Sequence, residues 1–150
     1  MNDADAAKIA NITADLMMVI GRMKRSARSS GKTSVHPGTE FAILDTICRH
    51  GCRTVPEIAA WRGVARQSVQ SVVNKLLEAG LIGQKDNPEH KLSPILVLQP
   101  DGVRRYEKVR EQLCATYKAA DAGLLDGDID AAARVIAVIA RSWGSGPAEA

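Results

Sequence analysis

The stretch 65–79, ARQSVQSVVNKLLEA, constrains the fold more than any other part of the chain. Val69, Val72, Val73, Leu76 and Leu77 recur there at i, i+3 and i+4, the spacing of a helix that buries one side. The opposite side carries Gln67, Gln70, Ser71, Asn74 and Glu78, with Arg66 and Lys75 at its edges. A solvated helix face usually mixes Lys with Glu, whereas this one is rich in neutral amides and hydroxyls. Gln and Asn both donate and accept at a base edge in the major groove, where Arg pairs with guanine or holds phosphate. A helix over 66–79 is therefore expected to turn a base-reading surface outward. Its candidate contacts are Arg66, Gln67, Ser68, Gln70, Ser71, Asn74 and Lys75.

The flanking residues build a frame around that helix. Thr54-Val55-Pro56-Glu57 fits a capping box, with the Thr hydroxyl on the helix end and Glu reaching back. Pro near the start needs no amide partner. The short helix this opens, 56–61, runs to Gly63, which takes the positive φ of a tight turn. Helix, glycine turn and second helix make a helix-turn-helix. Gly80 then stops the second helix, and two extended runs follow, 81–85 and 95–99. The polar loop 86–94, with Pro88 and Pro94, lies between them. A hairpin directly after the second helix is a wing, and Lys85, His90 and Lys91 are its candidate backbone or minor-groove contacts.

Leu76-Leu77-Glu78-Ala79-Gly80-Leu81-Ile82, a polar loop, and Leu98-Gln99-Pro100-Asp101-Gly102 follow a helix-turn-helix. The arrangement resembles the MarR family of bacterial winged-helix regulators, over nearly the whole chain. The resemblance implies a mainly α fold with a small β-hairpin wing (α+β) and terminal dimerisation helices. Where that family keeps Asp and Arg in the wing, this sequence has His90 and Leu92. The family's Arg reaches the minor groove, so the resemblance implies a weaker wing grip here, with Lys91 as the substitute. Gln99 stands where the family has Thr before the next helix and is a poorer cap. Small, often phenolic, effectors are implied between the dimer helices and the winged domain. Met17, Met18, Phe41 and Trp61 are candidates to line that site, with ordinary core packing as the plainer role of each.

The termini supply further helices. Over 4–25, Ile9, Ile12, Leu16, Val19 and Met23 form a heptad-like seam widened by Met17 and Ile20. Val103, Tyr106, Val109, Leu113 and Tyr117 stripe a helix over 102–120, and Ile129, Ala132, Ile136, Ile139 and Trp143 stripe another over 128–143. Three such stripes exceed what a small winged helix can cover, which predicts a two-fold homodimer with interleaved terminal helices. The expected division is 1–38, an N-terminal dimerisation helix and loop; 39–99, the DNA-binding winged helix-turn-helix; and 100–150, the C-terminal dimerisation helices.

Net charge is +3 over 150 residues, so any attraction for nucleic acid is local rather than a polybasic coat. No apolar run reaches the roughly 20 residues of a membrane span. The N-terminus MNDADAAK is acidic and has no leader-like apolar region, which points to the cytoplasm. Arg22, Lys24, Arg25, Arg28 and Lys32 read as a solvated helix end and loop, with phosphate contact as the alternative. Ser29-Ser30-Gly31 and His36-Pro37-Gly38 mark that loop, and Thr39 is expected to cap a helix over 40–50 that buries Phe41, Leu44, Ile47 and Cys48.

Three cysteines do not make a secreted disulfide framework. Cys48, His50 and Cys52 suggest a metal or a redox pair, but Gly51 breaks the spacing and no fourth ligand is evident. Core packing is the expected role of Cys48 and Cys114, with a thiol-based redox switch on Cys48 and Cys52 as an alternative. Asp126, Asp128 and Asp130 begin like a calcium loop, but Ala131 and Ala137 stand where Gly and Glu are required. They complement the positive end of the last helix instead. No phosphate-cradling glycine loop, GxSxG or HExxH is present. Neither catalysis nor a cofactor is expected. The sequence thus predicts a dimeric regulator that binds double-stranded DNA, and the resemblance implies its release by a small ligand. The rivals are a redox-responsive regulator and a winged-helix dimer acting through a protein partner.

Overall fold

A computed structural model describes residues 1–29, 38–120, 123–125 and 127–143. Six helices and one hairpin follow in the order α1 Asp3–Ser29, α2 Thr39–His50, α3 Val55–Arg62, α4 Arg66–Glu78, β1 Ile82–Lys85, β2 Ile95–Leu98, α5 Pro100–Ala119 and α6 Asp128–Trp143. The chain divides into two compact units. One holds α1 and α6, and the other runs from α2 to α5. Of the expected loop residues, Ser30, Gly31, Lys32, His36 and Pro37 lie outside the described residues, as do Asp126 and the side chain of Arg28.

The α2–α5 unit is a winged helix with a dense core. Ile43, Leu44, Ile58, Val69, Val73, Leu76, Ile82 and Leu96 are buried, and partly covered Phe41, Ile47, Val72, Leu77, Leu81 and Leu98 pack around them. The capping box of α3 forms as the sequence predicts. Glu57 N–H donates to Thr54 Oγ1 at 3.3 Å, and Thr54 N–H donates to Glu57 Oε2 at 3.0 Å. Arg53 N–H donates to the same carboxylate oxygen at 2.6 Å, its second bond. The α3 helix ends at Gly63, φ +61°, and α4 at Gly80, φ +67°. In both, the chain closes with paired reverse bonds: Gly63 N–H to Ala60 O and Val64 N–H to Ala59 O, then Gly80 N–H to Leu77 O and Leu81 N–H to Leu76 O. Such ends satisfy the last carbonyls and set the exit direction of the chain.

The hairpin pairs antiparallel, with Ile82 opposite Leu98, Gly83 opposite Val97, Gln84 opposite Leu96 and Lys85 opposite Ile95. Leu96 N–H reaches outside the pair to Arg53 O at 2.7 Å, tying the wing to the α2–α3 turn. Gly102 closes the unit from the other side. A Cβ there would stand 1.9 Å from the Leu81 carbonyl oxygen, so only glycine lets the first turn of α5 lie against the α4–β1 junction. Tyr106 follows one turn later. It is buried, stacks on Phe41 with centroids 5.3 Å apart, and donates its hydroxyl to Asp45 Oδ1 at 3.1 Å.

Three expectations about α2 and α5 need correction. Gly38, not Thr39, is the N-cap of α2, and no side chain bonds to that end. The buried positions of α2 are Ile43, Leu44 and Thr46, while Phe41 and Ile47 are half-buried and Cys48 is exposed. Cys48 lies about 140° round the helix from Ile43, past the edge of the covered arc. Cys114 is exposed too, about 100° from half-buried Leu113 on α5. Neither cysteine is a core residue of its own chain.

In the other unit, α1 continues past the expected 4–25 to Ser29, and α6 spans the expected 128–143. Ile9 and Leu16 of α1 are half-buried, as are Ala131, Val135, Val138 and Ile139 of α6. The rest of the expected seams stays open: Ile12, Val19, Met23, Ile129, Ala132, Ile136 and Trp143 are exposed, and α6 has no fully buried residue. The α6 start is closed by Asp128, whose carboxylate accepts from Leu125 N–H at 2.8 Å, and Asp130 lies in the same first turn.

Candidate nucleic-acid interface

Helix α4 has two unlike sides. Val69, Val73 and Leu76 are buried against the unit's core. Arg66, Gln67, Ser68, Gln70, Ser71, Asn74 and Lys75 are all exposed. The seven sequence-predicted contacts thus share the solvent side of a single rigid helix. Within that surface, Gln70 Nε2 donates to Asn74 Oδ1 at 2.8 Å, an i, i+4 amide pair. The first turn of α4 has no acid and no side-chain cap, since Ala65 is the N-cap. Its free backbone N–H groups and Arg66 leave that end positive, as anionic phosphate requires.

The scaffold beneath is held by a contact that helical periodicity does not reveal. Arg62, last residue of α3, donates from Nη1 to Ala42 O at 3.2 Å and to Thr46 Oγ1 at 3.3 Å. Thr46 itself is buried and donates to Ala42 O at 2.8 Å. These bonds pin the end of α3, and hence the turn leading into α4, to α2. A lone buried Thr on an otherwise apolar face was the only available sign.

The wing loop is organised by Asn87. Its side chain donates from Nδ2 to Ser93 O at 2.8 Å and accepts from Glu89 N–H at 3.1 Å through Oδ1. Its carbonyl accepts from His90 N–H at 3.3 Å, and Ser93 N–H donates to His90 O at 2.9 Å. This Asn-Pro turn was legible as punctuation, but its role as the hub of the loop was not. Lys85, His90 and Lys91 are exposed around it, and Leu92 beside them is 99% exposed.

The remaining predicted site residues are scattered. Phe41 is half-buried on Tyr106, whereas Trp61 meets His50 at a tilt of 32° with centroids 4.5 Å apart. Met17, 70% exposed, and Met18, 48% exposed, lie in the α1–α6 unit, and none of the four is fully enclosed core. Cys48 is exposed as a residue, but neighbouring atoms partly desolvate its thiol and raise it above its ordinary range, with the carboxylates of Asp45 and Glu107 adding to the shift and Arg110 partly opposing. Cys52, buried beside the His50 carbonyl, is raised by burial and by Glu57. A raised thiol carries less thiolate, the form that reacts with oxidants. Among the described residues no three His, Cys, Asp or Glu side chains converge as a metal site.

A MarR family profile matches residues 37–91. An uncharacterised protein of Mycobacterium tuberculosis is 33% identical over 116 residues, covering 77% of this chain and 80% of its own length. The chain belongs to the MarR family. Solved MarR-family structures share its fold at lower identity. A Staphylococcus aureus MarR, solved with salicylate and kanamycin, superposes with a TM-score of 0.65 at 20% identity, covering 91% of this chain and 93% of that one. Bordetella bronchiseptica BpsR, whose DNA binding is regulated by 6-hydroxynicotinic acid, gives 0.63 at 15% identity over 86% and 98% of the two chains. Members of the MarR family are transcription regulators, not enzymes, and the winged unit of this chain has their mostly helical fold with a two-stranded hairpin. No helix among the described residues is long and apolar enough to cross a membrane.

Proposed function

We propose that this MarR-family regulator is a cytoplasmic homodimer that binds a pseudo-palindromic operator and represses transcription until a small ligand releases it. The observation that carries the reading is the outward amide and hydroxyl surface of α4 over buried Val69, Val73 and Leu76. Each subunit lays α4 in a major groove, with Gln67, Gln70, Ser71 and Asn74 toward the bases and Arg66, Ser68 and Lys75 toward the backbone. The half-sites then lie about one helical turn, roughly 10 bp, apart. Lys85, His90 and Lys91 address the flanking backbone or minor groove. Exposed Ile12, Val19, Ile136 and Trp143 on the terminal helices support pairing of two chains, because large apolar side chains left open to water call for cover.

The test is a mobility-shift series over salt on selected and scrambled duplexes. Gln67→Ala is expected to reduce affinity for the selected duplex about tenfold while sparing the scrambled one. Lys91→Ala is expected to weaken both and to lower the salt slope by about one. Equal losses on both duplexes for Gln67→Ala remove the base-reading role.

Release by a ligand rests on the relatives solved with salicylate or regulated by 6-hydroxynicotinic acid, both aromatic acids. Met17, Met18, Phe41 and Trp61 remain the candidates to touch such a molecule. Binding would shift the population between two spacings of the α4 pair. A thermal-shift screen of phenolic acids checks this, and the absence of stabilisation by any of them counts against it. A second reading has one observation in its favour: fully exposed Leu92 stands at the wing in place of a DNA-gripping arginine, which suits docking on a protein partner. Retained DNA affinity in Leu92→Ser separates the two.

A further inference from the structure

We propose that Gln70 and Asn74 act as one coupled reader, in which their mutual hydrogen bond fixes the base preference of Gln70 as adenine before DNA arrives. The inference rests on the base-reading role of α4 proposed above and adds to it which residues act together and which base they select.

A glutamine amide carries two N–H donors and an acceptor oxygen, and asparagine the same. Free on a helix surface, each can rotate by half a turn and exchange its donor for its acceptor, so that it presents either pattern to a base. The bond from Gln70 Nε2 to Asn74 Oδ1, 2.8 Å long, removes that freedom. It consumes one Gln70 hydrogen and assigns the donor role to Nε2, which places Oε1 on the far side of the Gln70 amide. What Gln70 still offers is the Oε1 acceptor beside its second N–H. That pair matches adenine, whose major-groove edge presents the N6 donor next to the N7 acceptor. What Asn74 still offers is mainly Nδ2, with two hydrogens and no bond consumed. That group suits an acceptor-rich neighbour: guanine through O6 and N7, or thymine through O4.

The bridge also holds a long side chain still. Gln70 and Asn74 are both exposed, with no core contact to restrain them. Gln70 must order three torsions to grip a base, and a bond made in the free protein orders much of that chain in advance. Preorganisation of this kind raises affinity by lowering the ordering cost at binding. Neither residue supports the fold, so variants leave the winged unit intact.

The experiment selects duplexes from a randomised library with the full-length protein and repeats the selection with Asn74→Ala, Asn74→Asp and Gln70→Ala. Wild type is expected to select adenine at one position of each half-site, with guanine or thymine next to it. Gln70→Ala loses the adenine preference. Asn74→Ala, although it removes no atom from Gln70, is expected to lower the adenine preference as well, by about tenfold, the size of a coupling between touching residues. Asn74→Asp keeps an Oδ1 acceptor for Gln70, now a carboxylate oxygen in place of the amide oxygen. It is expected to keep the adenine preference while moving the neighbouring position toward cytosine, whose N4 donates. An Asn74→Ala variant that keeps full adenine preference overturns the coupling while leaving base reading by α4 in place. Loss of all sequence preference already in the wild type overturns the function proposed above, and this inference with it. In the free protein, one Gln70 side-chain amide proton should be shifted from its free-glutamine position by the bond to Asn74 and return to it in Asn74→Ala; no change on that substitution refutes the bridge independently of DNA.

Discussion

Helices α4 and α6 look alike as sequences and behave oppositely in the structure. Both carry a clean apolar stripe at helical spacing. In α4 the stripe is consumed within the chain: Val69, Val73 and Leu76 are covered by α2, α3 and β1 of the same unit. In α6 much of the stripe stays open, with Ile129 70% and Trp143 81% exposed while Ile139 is only half-buried. Periodicity states that one face of a helix needs cover, and it is silent about what supplies it. For α4 the cover is local, which leaves its polar side free for DNA. For α6 the described residues leave much of the stripe open, which is why dimerisation belongs to the proposed function.

Removing buried apolar volume from α4 is the harshest test of that contrast. Leu76→Ala is expected to cost about 2–5 kcal/mol, because a fully buried leucine leaves a cavity the close-packed core cannot collapse. Denaturant unfolding at fixed protein concentration measures it. A loss below about 1 kcal/mol means that the α4 stripe is not core.

Tyr106 tests the intermediate case, where α5 is covered only along its first turns. Tyr106→Phe keeps the stack on Phe41 but removes the bond to Asp45, at an expected cost of about 0.5–1.5 kcal/mol. Burial raises the Tyr106 hydroxyl above its ordinary value of 10.0, and the bond to Asp45 and that residue's charge push it the same way. The folded chain therefore holds this proton more tightly than the unfolded one. That contribution is complete below pH 10 and is lost as pH rises through the raised value. Thermal melts above pH 10 should fall less steeply in Tyr106→Phe than in wild type, and parallel slopes would show that the hydroxyl contributes nothing to the pH response.

The smallest effect on the chain itself is expected in α6. Ile136→Ser at high dilution should change the unfolding free energy by no more than about 0.5 kcal/mol, as for other exposed positions. At micromolar concentration the same variant should lose the concentration dependence of melting that a dimer shows. Sedimentation as a monomer accompanies that loss. If Ile136→Ser instead destabilises the dilute protein as much as Leu76→Ala, α6 is buried by its own chain and the contrast fails.

Much of the winged unit was readable because its signals are local. The Thr54–Glu57 capping box, the glycine turns at Gly63 and Gly80 and the polar loop between two extended runs each involve residues a few positions apart, where backbone geometry leaves few choices. Cys48 was misjudged for the same reason. Its spacing from Leu44 fits a stripe, yet the covered arc of α2 is centred elsewhere, and only the neighbouring helices determine where it ends.

The sequence by itself determined which faces are apolar and which are polar, since side-chain direction follows from helical pitch, and it marked the ends of α3 and α4, although α1 runs past its expected end to Ser29. It also placed every proposed base contact on one side of 66–79. Only the tertiary structure decided what meets those faces. Arg62 spans to Ala42 and Thr46, Tyr106 reaches Asp45 from 61 positions away, and Gly102 lies where no Cβ fits against Leu81. Such contacts depend on the closure of the whole unit, and no local spacing records them. The Gln70–Asn74 bond belongs between the two: the i, i+4 spacing allows it, and the side-chain torsions of the folded helix make it.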